Sequence, residues 1–420
     1  MRDLVPPEAG RRRALGRVLG EVFELFGYAP VVTPPFELES VMERALDGVD
    51  ARELLRFVDG ESGEVVMLRP DITPQIARLV ASRLRERPTP LRLSYEGHVV
   101  RRRRGRARTQ RQIAQAGVEC VGASGAFADV EVIELASRAL RAAGLREHRI
   151  ELNLTPLAGA LLDRVEPSRR TDARLALARK DRAELVRLLG TSSRDVQVGT
   201  LAALELIGGK EVLARARRLY ADAASRHRID ALAGIHRALE TLDLGVSIGF
   251  DLGEPRGFGY YTGTSFAVLA EGPGEPVAVG GRYDELLARF GLPLPATGVA
   301  IDLDHLDWAL GEDAPAEARR RTVVLAGRCT ATLCAAIRAA GVGAVALPGA
   351  GVEAARRYAE VWDHPRFVIV KGDEAEVFTV SSSSVSSSSG SPSSVSPKSQ
   401  VGERARMDVT ALPSFLRSKR

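Results

Sequence analysis

The chain has 420 residues, 45% of them hydrophobic and 5% aromatic, enough for two or three cores of ordinary size. It contains no run of about 18 apolar residues, which excludes a spanning helix. The opening Met1-Arg2-Asp3-Leu4-Val5-Pro6-Pro7 lacks the apolar core of a secretory leader. Three cysteines, Cys120, Cys329 and Cys334, form neither a disulfide framework nor a closely spaced zinc pair, so a reduced, cytoplasmic protein without metal or cofactor is expected. The formal charge of +5 comes from 59 basic against 54 acidic residues, and only five of the basic ones are Lys. An Arg bias spread over the whole chain reads as composition, so neither nucleic acid nor a membrane is expected as a partner.

The first element in chain order is an amphipathic helix. Leu15, Val18, Leu19, Val22, Phe23 and Phe26 recur at three- and four-residue steps, and Gly27 stops it. Tyr28–Phe36 is β-rich but carries prolines, which places it at an edge or an interface. A short strand at Val65–Leu68 leads to a helix whose start, Thr73-Pro74, reads as an N-cap followed by proline. Leu91–Val100 and Gln112–Val121 make a long hairpin around an Arg-rich loop. Asp129–Ala143 is a helix, and a mainly helical stretch runs from about 156 to 242. Strands follow at 244–251, 260–270, 275–280 and 298–303, with a helix expected at Tyr283–Phe290. Residues 314–321 read as a linker, so one domain spans 1–313.

The remainder, 322–420, alternates strand and helix at Thr322–Ala326, Thr330–Ala340, Gly343–Leu347, Val352–Trp362 and Phe367–Val370. That alternation predicts a small α/β domain with a parallel sheet. Between 381 and 399, 13 of 19 residues are Ser, a composition expected to stay disordered as a loop insertion. Asp408-Val409 and Leu412–Leu416 are expected to rejoin the domain.

Four groups of residues could carry chemistry. Arg occupies seven of the eleven positions 101–111, including Arg101 and Arg111, candidate anion-binding residues. A phosphorylated ligand, a nucleic acid, an acidic protein or plain solvent would each suit that loop. Gln115, Gly117 and Glu119 share one strand face by their even spacing, and a buried Glu needs a partner. Pro255-Arg256-Gly-Phe-Gly-Tyr260-Tyr261 sets Arg and Tyr among glycines that permit close backbone approach. Gly280-Gly-Arg-Tyr283-Asp284 puts a Gly pair before an expected helix.

In this order and spacing the pieces resemble the catalytic core of class II aminoacyl-tRNA synthetases, specifically the histidyl branch. Gly27–Pro34 resembles the first class motif, which builds that family's dimer interface, and Arg101–Glu119 resembles the second, the ATP hairpin. Arg256–Tyr261 and Gly280–Asp284 resemble the two histidine-specific motifs, and Pro295–Asp304 stands at the third. The likeness covers roughly 1–310. It implies an α+β fold with an antiparallel sheet flanked by helices. The terminal domain resembles the synthetases' anticodon-binding fold.

The departures point away from aminoacylation. The position that carries an acidic ATP contact in the second motif is Arg103, and a further ATP-binding Arg position is Thr109. The Glu-Arg pair that ends the third motif is Asp304-His305, and an imidazole is no substitute for a permanent bidentate cation. By the same resemblance the amino-acid pocket is kept. Asp71, Thr73 and Gln115 match positions that hold the α-ammonium, Glu119 and Tyr261 those that read the imidazole, and Arg256 the one beside the carboxylate. Tyr283 lines the same pocket.

This combination is similar to the regulatory subunits of ATP phosphoribosyltransferase, as are Ala178–Asp181 and Gly208–Ala214. Gly259-Tyr260-Tyr261 is closer to the synthetases. The resemblance implies a non-catalytic regulatory chain for the first step of histidine biosynthesis. It would carry feedback inhibition by L-histidine. It would be a homodimer within a hetero-oligomer with the short-form catalytic subunit. The alternatives are a working histidine–tRNA ligase and an RNA-binding or signalling paralogue that uses the Arg loop.

Overall fold

A computed structural model describes residues 3–46, 54–101, 112–255, 260–315, 322–362, 364–380 and 401–418. The chain divides into two compact units, Met1–Pro315 and Ala316–Arg420.

The first unit runs α1 (Glu8–Leu25), β1 (Ala29–Pro30), β2 (Phe36–Leu38), α2 (Glu39–Ala45), β3 (Arg56–Val58), β4 (Val65–Leu68), α3 (Thr73–Arg83), β5 (Leu91–Val100), β6 (Gln112–Val121), α4 (Ala126–Ala142) and β7 (Arg149–Leu154). The helical segment contains α5 (Thr155–Leu162), α6 (Pro167–Ala178), α7 (Arg182–Leu189), α8 (Arg194–Ala203), a two-residue β8 (Ile207–Gly208), α9 (Glu211–Leu219) and α10 (Ala223–Thr241). β9 (Ser247–Asp251), β10 (Thr264–Leu269), β11 (Ala278–Arg282), β12 (Ala296–Asp302) and α11 (Leu303–Leu310) complete it.

Nine strands form one sheet in the order β1-β5-β6-β12-β11-β10-β7-β9-β8. Its pairs are antiparallel except β1 with β5 and β7 with β9. The α+β class II synthetase-like architecture expected from the motifs is the one observed. β5 and β6 pair without a slip from Leu91 opposite Val121 to Val100 opposite Gln112. Period-2 alternation then divides β6. Ala114, Ala116, Val118 and Cys120 face the core built with Leu15, Leu19 and Phe23 of α1 and Val132, Ile133 and Leu140 of α4. Ile113 and Val121 face a second cluster with Ile76 and Val80 of α3, Tyr95, Tyr260 and Tyr283. Helix α1 closes as a Gly-capped helix does: Gly27 adopts φ +80° and the Tyr28 N–H donates to the Phe23 carbonyl at 3.0 Å.

Three local expectations fail. Ile72, not Thr73, is the N-cap of α3, and no side chain caps it. The Thr73 hydroxyl is used elsewhere. Residues 283–290 wind only into a 3-10 turn, Leu287–Phe290. A three-stranded sheet, β2-β4-β3, and helix α2 stand where the sequence suggested one strand.

The second unit contains β13 (Thr322–Gly327), α12 (Ala331–Ala339), β14 (Gly343–Pro348), α13 (Val352–Val361), β15 (Arg366–Lys371), β16 (Glu374–Val380), β17 (Val401–Asp408) and α14 (Leu412–Ser418). The sheet order is β14-β13-β15-β16-β17. The first three strands are parallel, as the alternation predicted, but β16 and β17 extend the sheet antiparallel. Both faces are covered, so β13 buries Val323 and Leu325 on one side and Val324 and Ala326 on the other.

The Ser-rich tract, 381–399, lies outside the described residues. Its flanks are defined: Val380 pairs with Val401. The tract therefore joins two neighbouring antiparallel strands, a connection that two residues can make. Replacing 381–400 by Asn-Gly shortens this closure by about three doublings, which should stabilise the unit by about 1–2 kcal/mol. Thermal melting should rise by several degrees. A fall would show that the tract supplies stabilising contacts. Among the described residues, no helix is long and apolar enough to cross a membrane.

Candidate functional site

The hairpin and the segments packed on it bring Asp71, Thr73, Gln115, Glu119, Tyr261 and Tyr283 to one face of the sheet. Gln115, Gly117 and Glu119 of β6 lie opposite Gly97, Tyr95 and Leu93 of β5, and opposite Asp302, Ala300 and Gly298 of β12. Glu119 is only 1% exposed. Its Oε1 accepts the Thr73 hydroxyl at 2.6 Å, and its Oε2 accepts the Tyr283 hydroxyl. Asp71, also buried, accepts the Thr73 N–H at 3.2 Å and the Tyr260 hydroxyl at 2.8 Å. Thr73 thus links the two carboxylates, one through its backbone and one through its side chain. Tyr260, Tyr261 and Tyr283 pack together, with ring centroids 5.0 to 6.5 Å apart.

Glycines clear the floor. A Cβ on Gly97 would strike the Arg69 guanidinium, one on Gly117 would meet the Tyr95 hydroxyl at 2.5 Å, and one on Gly298 would run into the Glu119 carboxylate.

Burial dominates the electrostatics. It pushes the Glu119 carboxyl well above its usual range, and the Asp71 charge adds to the rise while the Thr73 bond opposes it. Burial, and then the charges of Asp71 and Glu119, lift the Tyr95, Tyr260 and Tyr261 phenols above theirs. These hydroxyls are neutral at physiological pH. The pocket presents carboxylates, an amide and neutral phenols, so it suits a ligand rich in N–H donors, an ammonium above all.

Arg101 sits at the mouth, its Nε donating to the Pro70 carbonyl at 2.5 Å, and its charge acts on Tyr261. Arg111 and Arg256 lie outside the described residues, as do Arg103 and Thr109. Tyr283 and its neighbour are held by a second buried pair. Arg282 donates to Asp129 at 2.9 Å, to Asp284 at 3.0 Å and to the Gly125 carbonyl at 2.9 Å. Lys180, in the Ala178–Asp181 segment, pairs with Asp251 of β9 at 2.7 Å and so ties the helical segment to the sheet.

The third-motif positions are turned to structural work. The Asp302 carboxylate accepts the N–H groups of Asp304 at 2.9 Å and His305 at 3.0 Å, capping α11. His305 is buried, and its Nδ1 donates to the Pro276 carbonyl at 2.9 Å. Asp304 is paired with Arg12 of α1. The start of α11 thus already carries two carboxylates, and a further anion there would meet like charge.

One pocket residue escapes sequence reasoning, Tyr95, and a second, Tyr260, stands in a marked motif without a role assigned to it. Tyr95 could have been found by register, since even spacing on both strands of the hairpin sets it across from Gly117. Nothing local marks Tyr260 above Tyr261.

The histidyl-tRNA synthetase family model matches residues 1–306. The ATP phosphoribosyltransferase regulatory subunit of Anaeromyxobacter dehalogenans is 43% identical over 317 residues, 74% of this chain and 90% of that one. That of Moorella thermoacetica is 40% identical over 337 residues, 79% of this chain and 86% of that one.

The chain belongs to the ATP phosphoribosyltransferase regulatory subunit family.

Solved structures agree with that membership. An ATP phosphoribosyltransferase regulatory subunit/histidyl-tRNA synthetase from Bacillus halodurans superposes with a TM-score of 0.73 at 30% identity, covering 88% of this chain and 96% of that one. The histidyl-tRNA synthetase of S. aureus, 18% identical, has a TM-score of 0.66 over 100% of this chain and 98% of that one, a likeness of fold.

Proposed function

We propose that this chain is the non-catalytic regulatory subunit of ATP phosphoribosyltransferase and that its sheet-face pocket binds L-histidine as the feedback signal. One contrast carries the reading. The amino-acid side of the cleft is a closed set of acceptors around Asp71 and Glu119, while the nucleotide side has its helix N-terminus filled by Asp302 and its arginine position taken by a histidine bonded to Pro276. Asp71 and Gln115 would hold the ammonium, with Thr73 orienting Asp71. Glu119 and Tyr261 would read the imidazole, Arg256 the carboxylate, and Tyr283 would fix Glu119. Arg101 and Arg111 are positioned in sequence for an anion at the hairpin. Without the phosphate cations, adenylate formation loses several kcal/mol of transition-state stabilisation, about a hundredfold or more per group.

The partner is a short-form catalytic subunit, which joins ATP to phosphoribosyl pyrophosphate in the cytoplasm. Leu25 and Val32, 84% and 93% exposed, lie on or beside the segment that resembles the first class motif and support a dimer through it. The terminal unit is proposed to be an anticodon-binding-like domain. For histidine to regulate, it must bind the inhibited assembly better than the active one, by about 1–3 kcal/mol.

The test is reconstitution with the catalytic subunit. Phosphoribosyl-ATP formation should require this chain and fall when L-histidine is added, while histidine-dependent ATP–pyrophosphate exchange by this chain stays at background. Exchange at ordinary synthetase rates would instead establish a histidine–tRNA ligase, the reading that the Tyr260-Tyr261 pair favours.

A further inference from the structure

The pocket holds two polar atoms that find no well-formed hydrogen bond among the described residues. The Tyr95 hydroxyl and Gln115 Oε1 are both buried, on residues 4% and 7% exposed, and neither has a partner in good hydrogen-bond geometry among the described residues; the Thr73 hydroxyl lies near enough to act on Tyr95 but is committed to Glu119. A buried polar group without a partner is costly, and a group retained in that state marks a place where something else is to be bonded. Both residues stand on the same sheet face, on neighbouring rows: Tyr95 opposite Gly117, Gln115 opposite Gly97. The Tyr95 ring reaches across β6 because Gly117 has no side chain; a Cβ there would press on the ring at 2.6 Å.

The surroundings decide which group these atoms await. Both Glu119 oxygens are engaged, by Thr73 and Tyr283, and Asp71 receives Tyr260 and the Thr73 N–H. Burial above all, with the carboxyl groups of Glu119 and Asp71 nearby, keeps the Tyr95 phenol neutral. The spare Gln115 oxygen can only accept, and the Tyr95 oxygen has a free lone pair in a region of negative potential. An ammonium offers three N–H donors around one positive centre, whereas each imidazole nitrogen offers at most one.

We propose that Tyr95 is a further ligand-binding residue of this pocket, its hydroxyl oxygen accepting an N–H of the bound amino acid's α-ammonium alongside Gln115 Oε1. This rests on the histidine-binding reading above, and adds to it a residue and the ligand group that residue selects.

The experiment compares the full chain with Tyr95→Phe by calorimetry, using L-histidine, L-histidinol and imidazolepropionate, the last by competition against L-histidine. Histidinol keeps the ammonium and lacks the carboxylate; imidazolepropionate keeps the carboxylate and lacks the ammonium. Loss of one hydrogen bond to a charged group should weaken L-histidine and histidinol by about tenfold or more. Imidazolepropionate affinity should not change. Because the hydroxyl makes no well-formed hydrogen bond among the described residues, the melting temperature of the ligand-free Phe chain should not drop.

Equal losses for all three ligands, an unchanged L-histidine affinity, or a melting temperature several degrees below wild type would each overturn the assignment. If the wild-type chain binds L-histidine and the Phe chain binds it equally well, only this inference fails. If the wild-type chain binds none of the three ligands, the histidine reading fails and takes the inference with it.

Discussion

Glu119→Gln should melt at a higher temperature than the wild-type chain when both are free of ligand at about pH 8, and the gap should narrow towards about pH 5. Glu119 is enclosed, and its folded carboxyl holds a proton well above the ordinary value of 4.5. In the unfolded chain the same carboxyl ionises near that ordinary value. Between the two, the folded state binds more protons than the unfolded state, so stability falls as pH rises through the window. Below it, both states are protonated and the contribution is fully present. Gln has the same shape and cannot ionise, so its chain lacks this loss. Other buried acids, Asp129 among them, also titrate upward, and the comparison between the two chains removes their share. A bound imidazole can take up the Glu119 proton and form a charge-assisted hydrogen bond that Gln cannot, so the same substitution should weaken L-histidine by about tenfold to a hundredfold. Thermal melts across pH and a calorimetric titration check both. Parallel pH curves for the two chains would show that Glu119 is ionised in both states.

Gly298→Ala should both destabilise the chain and abolish the pocket. Gly298 lies in the middle of the sheet, opposite Glu119 on one side and Gly281 on the other. A Cβ there would come within 2.6 Å of the Val118 carbonyl oxygen and 2.8 Å of the Glu119 carboxyl carbon. The carboxylate could swing away only by breaking its bonds to Thr73 and Tyr283, and the carbonyl belongs to a strand paired on both edges. Overpacking of this kind costs about 1–3 kcal/mol. A melting temperature lower by several degrees and a lost histidine heat are the expected results. Wild-type binding in the Ala chain would mean that β12 yields without disturbing Glu119.

Local pattern carried much of the fold. The run of apolar residues at three- and four-residue steps marks α1, and strict alternation marks β5 and β6 because a strand with one face on a core has to alternate. The even spacing of Gln115, Gly117 and Glu119 placed them on one face before any partner was known. β16 was overlooked: its alternation of Glu374, Ala375, Glu376 and Val377 is cut short by the Ser-rich tract, and its ladder partner lies twenty residues further on. The expected helix at 283–290 yields to a short turn, since Tyr283 is drawn towards Glu119 and its backbone N–H is taken by Ala296. Thr73-Pro74 carries the local signature of a helix cap, yet its hydroxyl serves Glu119, forty-six residues away, and a bond of that range leaves no trace in neighbouring residues.

By itself the sequence determined the secondary structure of the hairpin and the family, because these follow from periodicity, spacing and ordered motifs. Only the tertiary structure decided that burial raises the Glu119 carboxyl, that Tyr95 and Gln115 keep bonding capacity in reserve, and that Asp302 caps α11 while His305 bonds to Pro276. Burial and unmet hydrogen bonds are properties of what packs across from a residue, and around this pocket those neighbours are far apart in the chain, Tyr260 from Asp71 by 189 residues.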